Sequence, residues 1–148
     1  MLKLTMSGVF VLAGMLAAFA NSPSQVGAAQ TPGLAVELGH ADFLTYCAAC
    51  HGVGGQGDGT VAEFLTIEAA DLTQLRKRNG GYFPRERMIE IIDGRIEVKV
   101  HGPRSMPVWG DWFRREAAES GARKATREEI VSERINALVV YLETIQEN

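Results

Sequence analysis

Apolar positions recur at helical spacing over most of the chain, and strand-like alternation is confined to one short stretch. Leu34, Leu38, Phe43, Leu44 and Tyr46 predict a first helix running from Leu34 to Cys47, with Pro32 and Gly33 at its start. Gly52 to Thr60 carries five glycines in nine residues and reads as a tight loop. Val61 to Leu65 predicts one helical turn. Asp71 caps a helix from Leu72 to Arg78, which Asn79-Gly80-Gly81 ends. Pro84 suits the first turn of the next helix, which holds Met88, Ile89, Ile91 and Ile92 and stops at Asp93-Gly94. Ile96 to Val100 alternates but has no partner strand, so it is expected to be extended. His101 to Gly110 is a Pro/Gly-punctuated loop, after which Asp111 caps a helix to Ser120, closed by Gly121. Thr126-Arg127-Glu128-Glu129 reads as a capping box for the last helix, whose stripe is Ile130, Ile135, Leu138, Leu142 and Ile145. The pattern gives four or five short helices, long loops and almost no sheet: an all-α chain without internal repeats.

The N-terminus reads as an export signal. Lys3 is the only charge before the apolar run Val9 to Ala20, and a polar stretch from Asn21 to Gln25 follows. Ala18-Phe19-Ala20 and Val26-Gly27-Ala28 both satisfy the small-x-small cleavage rule. Cleavage after Ala28 is preferred, because the polar stretch with Pro23 then precedes the cut. Residues 1–28 are thus read as a cleaved signal peptide, 29–33 as a linker and 34–148 as the domain. An uncleaved anchor is the alternative: Leu4 to Ala20 is about 17 residues, the lower edge of a membrane span. No cysteine lies near the start to carry a lipid.

Removing residues 1–28 takes away Lys3 alone and leaves 14 basic against 18 acidic residues, a net of −4 on about 120 residues. That is one compact domain, not built for nucleic acid or for an anionic membrane surface.

Such small helices joined by long loops need something further to pack against, and the two cysteines suggest what. They stand at Cys47 and Cys50 with His51 next, the C-x-x-C-H pattern of covalent haem attachment. Each thiol can add to one haem vinyl group, and the adjacent imidazole is held under the iron as proximal ligand. Three alternatives compete. A thioredoxin-like pair would follow a Val/Ile-rich strand, and none precedes Cys47. Structural zinc needs four N/S ligands, yet beyond this motif the chain has only His40 and His101. A short-range disulfide leaves His51 unexplained. Export agrees with the haem reading, since such proteins mature outside the cytoplasm. The Gly-rich loop lacks the Lys-Ser/Thr pair of a phosphate-binding loop.

The second axial position decides the chemistry. Met88 lies within an amphipathic helix, where methionine usually fills core. His101 starts the Pro/Gly loop, where a surface or propionate-contacting histidine is commoner. His40 is an outsider. Met106 is favoured, because Pro107 stiffens the loop Ser105-Met106-Pro107-Val108-Trp109-Gly110 that must hold a weak thioether on iron.

The order of C-x-x-C-H, mid-chain helices, Met-Pro-x-Trp-Gly and a final amphipathic helix resembles class I cytochrome c over Gly33 to Gln146. The resemblance implies a fold of short helices around one covalent haem c. It implies thioethers at Cys47 and Cys50 and axial ligation by His51 and Met106. It also implies a crossing of the first and last helices at Gly39, Phe43 and Tyr141. GQGDG followed by DLT is similar to a bacterial subgroup serving periplasmic dehydrogenases and oxidases. Two departures stand out: Thr60, and Ala69-Ala70 before DLT, occupy positions where that subgroup usually has Pro. The second leaves open which carbonyl holds Nδ1 of His51.

The expected function follows from filled axial positions: single-electron transfer and no catalysis by the chain itself. The expected protein is a soluble periplasmic carrier between a dehydrogenase donor and an oxidase or cytochrome acceptor. Leu72, Phe83, Ile92 and Trp109 are expected to line the haem pocket and add to the tuning by Met106. Two other readings are a fixed haem subunit of an oxidoreductase complex and, if Met106 leaves the iron readily, a gas- or peroxide-binding protein.

Overall fold

The computed structural model describes residues 32–96 and 106–147, and the regular structure among them is all helical, with no strand. Six α-helices occur: α1 Pro32–Tyr46, α2 Ala48–His51, α3 Leu75–Arg78, α4 Arg85–Asp93, α5 Trp109–Glu119 and α6 Lys124–Thr144. Two 3₁₀ turns, Ala62–Phe64 and Leu72–Gln74, punctuate the loops between them. Residues 1–28, most of the 29–33 linker, His101 and all of Ile96 to Val100 but Ile96 lie outside the described residues.

α6 is the platform. It packs against α1 on one side and α4 and α5 on the other, so its apolar surface is broader than one stripe. Val131, Ile135, Ala137, Leu138, Val139, Tyr141 and Leu142 are all buried, whereas Ile130 and Ile145 of the expected stripe are only half-buried.

The α1–α6 contact is set by Gly39. A Cβ at that position would run into the Ala137 carbonyl and crowd the Tyr141 Cβ, so only glycine lets the two backbones approach this closely. This contact fixes the rotation of α1. Val36, Gly39, Phe43 and Tyr46, spaced three, four and three apart, turn inward, and Phe43 is fully buried against Tyr141 with ring centroids 5.2 Å apart. The expected α1 stripe is corrected accordingly: Leu34, Leu38 and Leu44 remain about 45% exposed. The leucines do not mark the inner face; Gly39 and Phe43 do, meeting Tyr141 of the last helix as the resemblance implies.

Arg134 locks the three long helices together. From α6 it donates to both carboxylate oxygens of Asp42 on α1, at 2.9 and 2.8 Å, and to Glu116 on α5 at 2.7 Å. Its guanidinium lies 3.9 Å from the Phe113 ring centroid and 5.3 Å from that of Tyr46. Glu116 also accepts from Tyr46 Oη at 2.9 Å and Trp112 Nε1 at 2.8 Å. Every member of this half-buried group is paired, the condition under which such a group is tolerated.

Several helix ends differ from expectation. Asp111 sits inside α5, which starts at Trp109 with Val108 as N-cap. The Asp111 carboxylate accepts from Arg114 one turn on, at 3.2 Å, rather than from a free backbone N–H. α6 begins at Lys124, and the N–H groups of Thr126 and Arg127 donate to the Arg123 carbonyl, so Thr126 is no cap. Pro84 is the N-cap of α4, one residue before its first turn, and its carbonyl accepts from Met88 N at 3.0 Å. The expected Leu72–Arg78 helix is split at Gln74. Asp71 does cap it, with Oδ1 accepting from Thr73 N at 2.9 Å and Thr73 Oγ1 at 2.6 Å. Gly94 (φ 85°) ends α4 as expected.

Two outcomes follow. Gly39→Val should destabilise the protein by about 1–3 kcal/mol, read from its urea midpoint, because neither backbone can yield. The second concerns acid. Burial pushes the Glu116 carboxyl up, but the hydrogen bonds from Arg134, Tyr46 and Trp112 outweigh it and hold the group below its ordinary 4.5. A folded value below the unfolded one contributes stability that is complete above the unfolded value and is lost as pH falls through the folded one. Glu116→Gln should therefore cost more stability near about pH 7 than near about pH 3, measured by denaturant unfolding at each pH.

Candidate functional site

The Cys-x-x-Cys-His segment continues α1 after a break at Cys47. Cys47 N still donates to Phe43 O at 2.9 Å, so the motif starts from the residue buried at the α1–α6 crossing. Cys50 N and His51 N then both return to Cys47 O, at 3.1 and 2.9 Å. Positions i, i+3 and i+4 of one helical turn place Cys47, Cys50 and His51 on one side of α2.

A four-residue helix leaves every one of its carbonyls without an intrahelical partner; the Gly-rich loop supplies three and Val61, just after it, the fourth. Gly52 N donates to Ala48 O at 2.8 Å, Val61 N to Ala49 O at 3.0 Å, Gly59 N to Cys50 O at 3.1 Å and Gly57 N to His51 O at 2.8 Å. The loop must pass close over α2 to do this, and its glycines are the means. A Cβ on Gly59 would overlap the Ala49 carbonyl, and one on Gly57 (φ 87°) would strike the Ala69 carbonyl.

The segment against Gly57 carries the group that orients His51. Nδ1 of His51 lies 2.9 Å from the Ala70 carbonyl oxygen. A carbonyl only accepts, so the proton is on Nδ1, and in the neutral ring Nε2 is left with its lone pair free to bind a metal. Burial lowers the His51 pKa and the Ala70 bond opposes this without reversing it, so the ring is neutral at neutral pH. Ala70 thus answers which carbonyl holds this histidine. The resemblance points to Ala69-Ala70 as the place where this carbonyl is in question, and the geometry puts it on Ala70.

Both cysteines are free thiols. The Cys47 thiol is pushed up to about 12 by burial, with Asp42 and Cys50 adding to the rise. A redox-active cysteine needs the opposite shift, so this environment counts against the thioredoxin-like reading. Among the described residues no three His, Cys, Asp or Glu side chains form a group able to hold a metal ion.

Cys47, Leu72, Phe83, Met106 and Trp109 are partly buried residues on the margin of one apolar cluster. Met88 and Ile92 lie within that cluster, 6% and 5% exposed, so Met88 is core filling as expected. His40 is exposed and stacks on Tyr141 at 4.9 Å, outside this group. The loop bearing Met106 and the end of α1 meet through aromatic rings. Tyr46, the residue before Cys47, makes an edge contact with Trp109 at 5.6 Å, three residues beyond Met106. Gly110 holds this loop against the end of α4, where a Cβ would overlap Asp93. A separate cavity of about 560 Å³ borders Gly57 and Ala70, but Glu63, Glu68, Asp71 and Arg78 line it, which suits water rather than an apolar ring.

These residues fit a covalently held haem. Two thiols and a lone-pair-bearing imidazole share one side of a helix, and an incompletely covered apolar margin includes one thiol and the candidate thioether. No family model, curated protein or solved structure matches the chain.

Gly57→Ala should lower the urea midpoint more than Gly80→Ala does. Both residues have positive φ, but only Gly57 has a carbonyl in the way, and nothing lies within 4 Å of a Cβ at Gly80. Equal losses would show that the approach to Ala69 carries no energetic weight.

Proposed function

We propose that the chain is a mono-haem c-type cytochrome of class I type, all-α, its short helices wrapped around a haem held by thioethers at Cys47 and Cys50. In this reading it is an exported, soluble periplasmic carrier of single electrons between a dehydrogenase and an oxidase or cytochrome acceptor. The observation that carries the reading is the His51 Nδ1–H donated to the Ala70 carbonyl beside two free thiols. That arrangement leaves Nε2 as the one atom of the motif prepared to ligate iron.

When bound, haem supplies a one-electron Fe(III)/Fe(II) couple. The chain's own residues do the rest. Ala70 fixes the tautomer and plane of His51 and makes it a stronger donor. Met106 would be the second side chain to hold the iron. Its thioether favours the reduced state. Leu72, Phe83, Ile92 and Trp109 keep water from the site and raise the cost of the added charge on oxidation. No helix among the described residues is long and apolar enough to cross a membrane. A carrier of this kind docks through small and brief interfaces.

Protein made in a host with haem-attachment machinery should keep its pigment through acid-acetone extraction. Pigment washing out of the polypeptide would refute the proposal. Met106→His should retain six-coordinate iron and lower the midpoint potential by on the order of a hundred millivolts, whereas Met88→Leu should change it little. A normal potential in the Met106 variant would move the ligand to His101. Rapid CO binding by the reduced wild-type protein would favour a gas-binding role over electron transfer.

A further inference from the structure

We propose that Gln146, just past the end of α6, is a positioning residue for His51, acting through the segment that presents the Ala70 carbonyl. In its consequence for redox behaviour this rests on the haem reading above.

Gln146 uses its whole amide on one stretch of chain and its own helix. Nε2 donates to Leu72 O at 2.8 Å and to Leu142 O at 2.7 Å, while Oε1 accepts from Arg76 N at 2.9 Å. Its neighbour adds a backbone tie, Glu147 N donating to Thr73 O at 2.9 Å. Both ends of the Leu72–Arg76 segment are therefore fixed to the end of the longest helix in the described structure. This is not an ordinary helix terminus. An exposed cap needs one partner, and here two of the three amide bonds go to a separate element about seventy residues away in sequence.

The segment so held leads directly to His51. The Asp71 carboxylate binds Thr73 N and Oγ1, which makes residues 71–73 one rigid turn. Leu72 N donates to Gly55 O at 2.6 Å, tying that turn to the Gly-rich loop. Gly55 (φ 82°) in turn lies under Ile145, the residue before Gln146. Ala70, immediately before the turn, then has its carbonyl 2.9 Å from His51 Nδ1. The route from Gln146 through Leu72 and Asp71 to Ala70 and His51 is continuous in hydrogen bonds and peptide links. On its other flank the segment meets the close approach of Gly57 and the Arg78 guanidinium, which donates to the Asp71 carbonyl. Removing the clamp frees one side of a carbonyl whose direction sets how firmly the imidazole is held.

The test compares wild-type holoprotein with Gln146→Leu, which keeps side-chain bulk and removes all three amide bonds, and with Gln146→Glu, which keeps only the acceptor for Arg76 N. Leu138→Ala is the structural control, a core cavity far from this segment in sequence. Exchange of the His51 Nδ1 proton and the midpoint potential are read alongside the thermal midpoint. We expect exchange faster by about tenfold or more in Gln146→Leu, an intermediate rate in Gln146→Glu, and a higher potential as the imidazole becomes a weaker donor. Leu138→Ala should lose thermal stability while keeping the wild-type exchange rate and potential. Wild-type exchange and potential in both Gln146 variants, whatever their stability, would reduce Gln146 to a helix cap and overturn the proposal. Should Gln146→Leu fail to fold, Gln146→Glu alone decides between these outcomes. Loss of pigment from the wild-type protein would instead refute the haem reading. The exchange comparison needs no iron and would still judge the clamp.

Discussion

The contact between the α1 and α6 backbones at Gly39 is the constraint on which the rest of the structure depends. It determines which side of α1 faces inward, and so buries Phe43 and brings Asp42 and Tyr46 within reach of Arg134. Phe43 then accepts the hydrogen bond from Cys47 N that carries the chain into α2. The site is thus attached to the helix crossing by one hydrogen bond and four residues of sequence. An error in the crossing would be passed to the cysteines without damping, because close-packed helices have few intermediate arrangements.

Two kinds of polar economy support that crossing. Arg134 is a charge on an otherwise apolar helix face, and it is acceptable only because two carboxylates and two ring faces receive it. A shared group of this kind specifies one register between α1, α5 and α6, since any slip leaves a charge unpaired. At α2 the economy is entirely backbone: the Gly-rich loop and Val61 after it satisfy four carbonyls that a helix so short cannot satisfy itself. Both arrangements spend sequence on geometry rather than on apolar area, as expected of a small domain with little core.

What could be read from the sequence was whatever depends on local spacing. The Cys47, Cys50 and His51 triplet, the glycine stops at Gly80 and Gly94 and the apolar face of α6 all follow from residue type at fixed offsets. The leucines of α1 did not reveal its inner face, whereas the resemblance did put Gly39, Phe43 and Tyr141 at the helix crossing, where the structure has them. The starts of α5 and α6 were not legible. Asp111 and Thr126 are good caps in isolation, but Arg114 takes the first and the helix begins before the second. Ala70 was legible only as a position, through the departure from Pro at Ala69-Ala70, because its contribution is a carbonyl, which no side chain announces. Gln146 and Arg134 act on partners about seventy and ninety residues away, and a single sequence carries no sign of such pairs.

In the proposed reading, this difference in origin has a functional side. The proximal histidine is held by a backbone carbonyl, by glycines that admit close approach, and by a clamp at the far end of the chain. Few of these parts can be adjusted one side chain at a time, so the proximal bond is fixed almost as a property of the fold. The opposite ligand is a side chain on a loop anchored by Gly110 at the end of α4 and by the Tyr46–Trp109 ring contact. A substitution at Met106, or in the rings that hold its loop, changes the ligand without disturbing the helix crossing. The potential of such a protein can therefore move through its distal side while its fold stays constant. That division lets one scaffold be matched to different electron donors and acceptors.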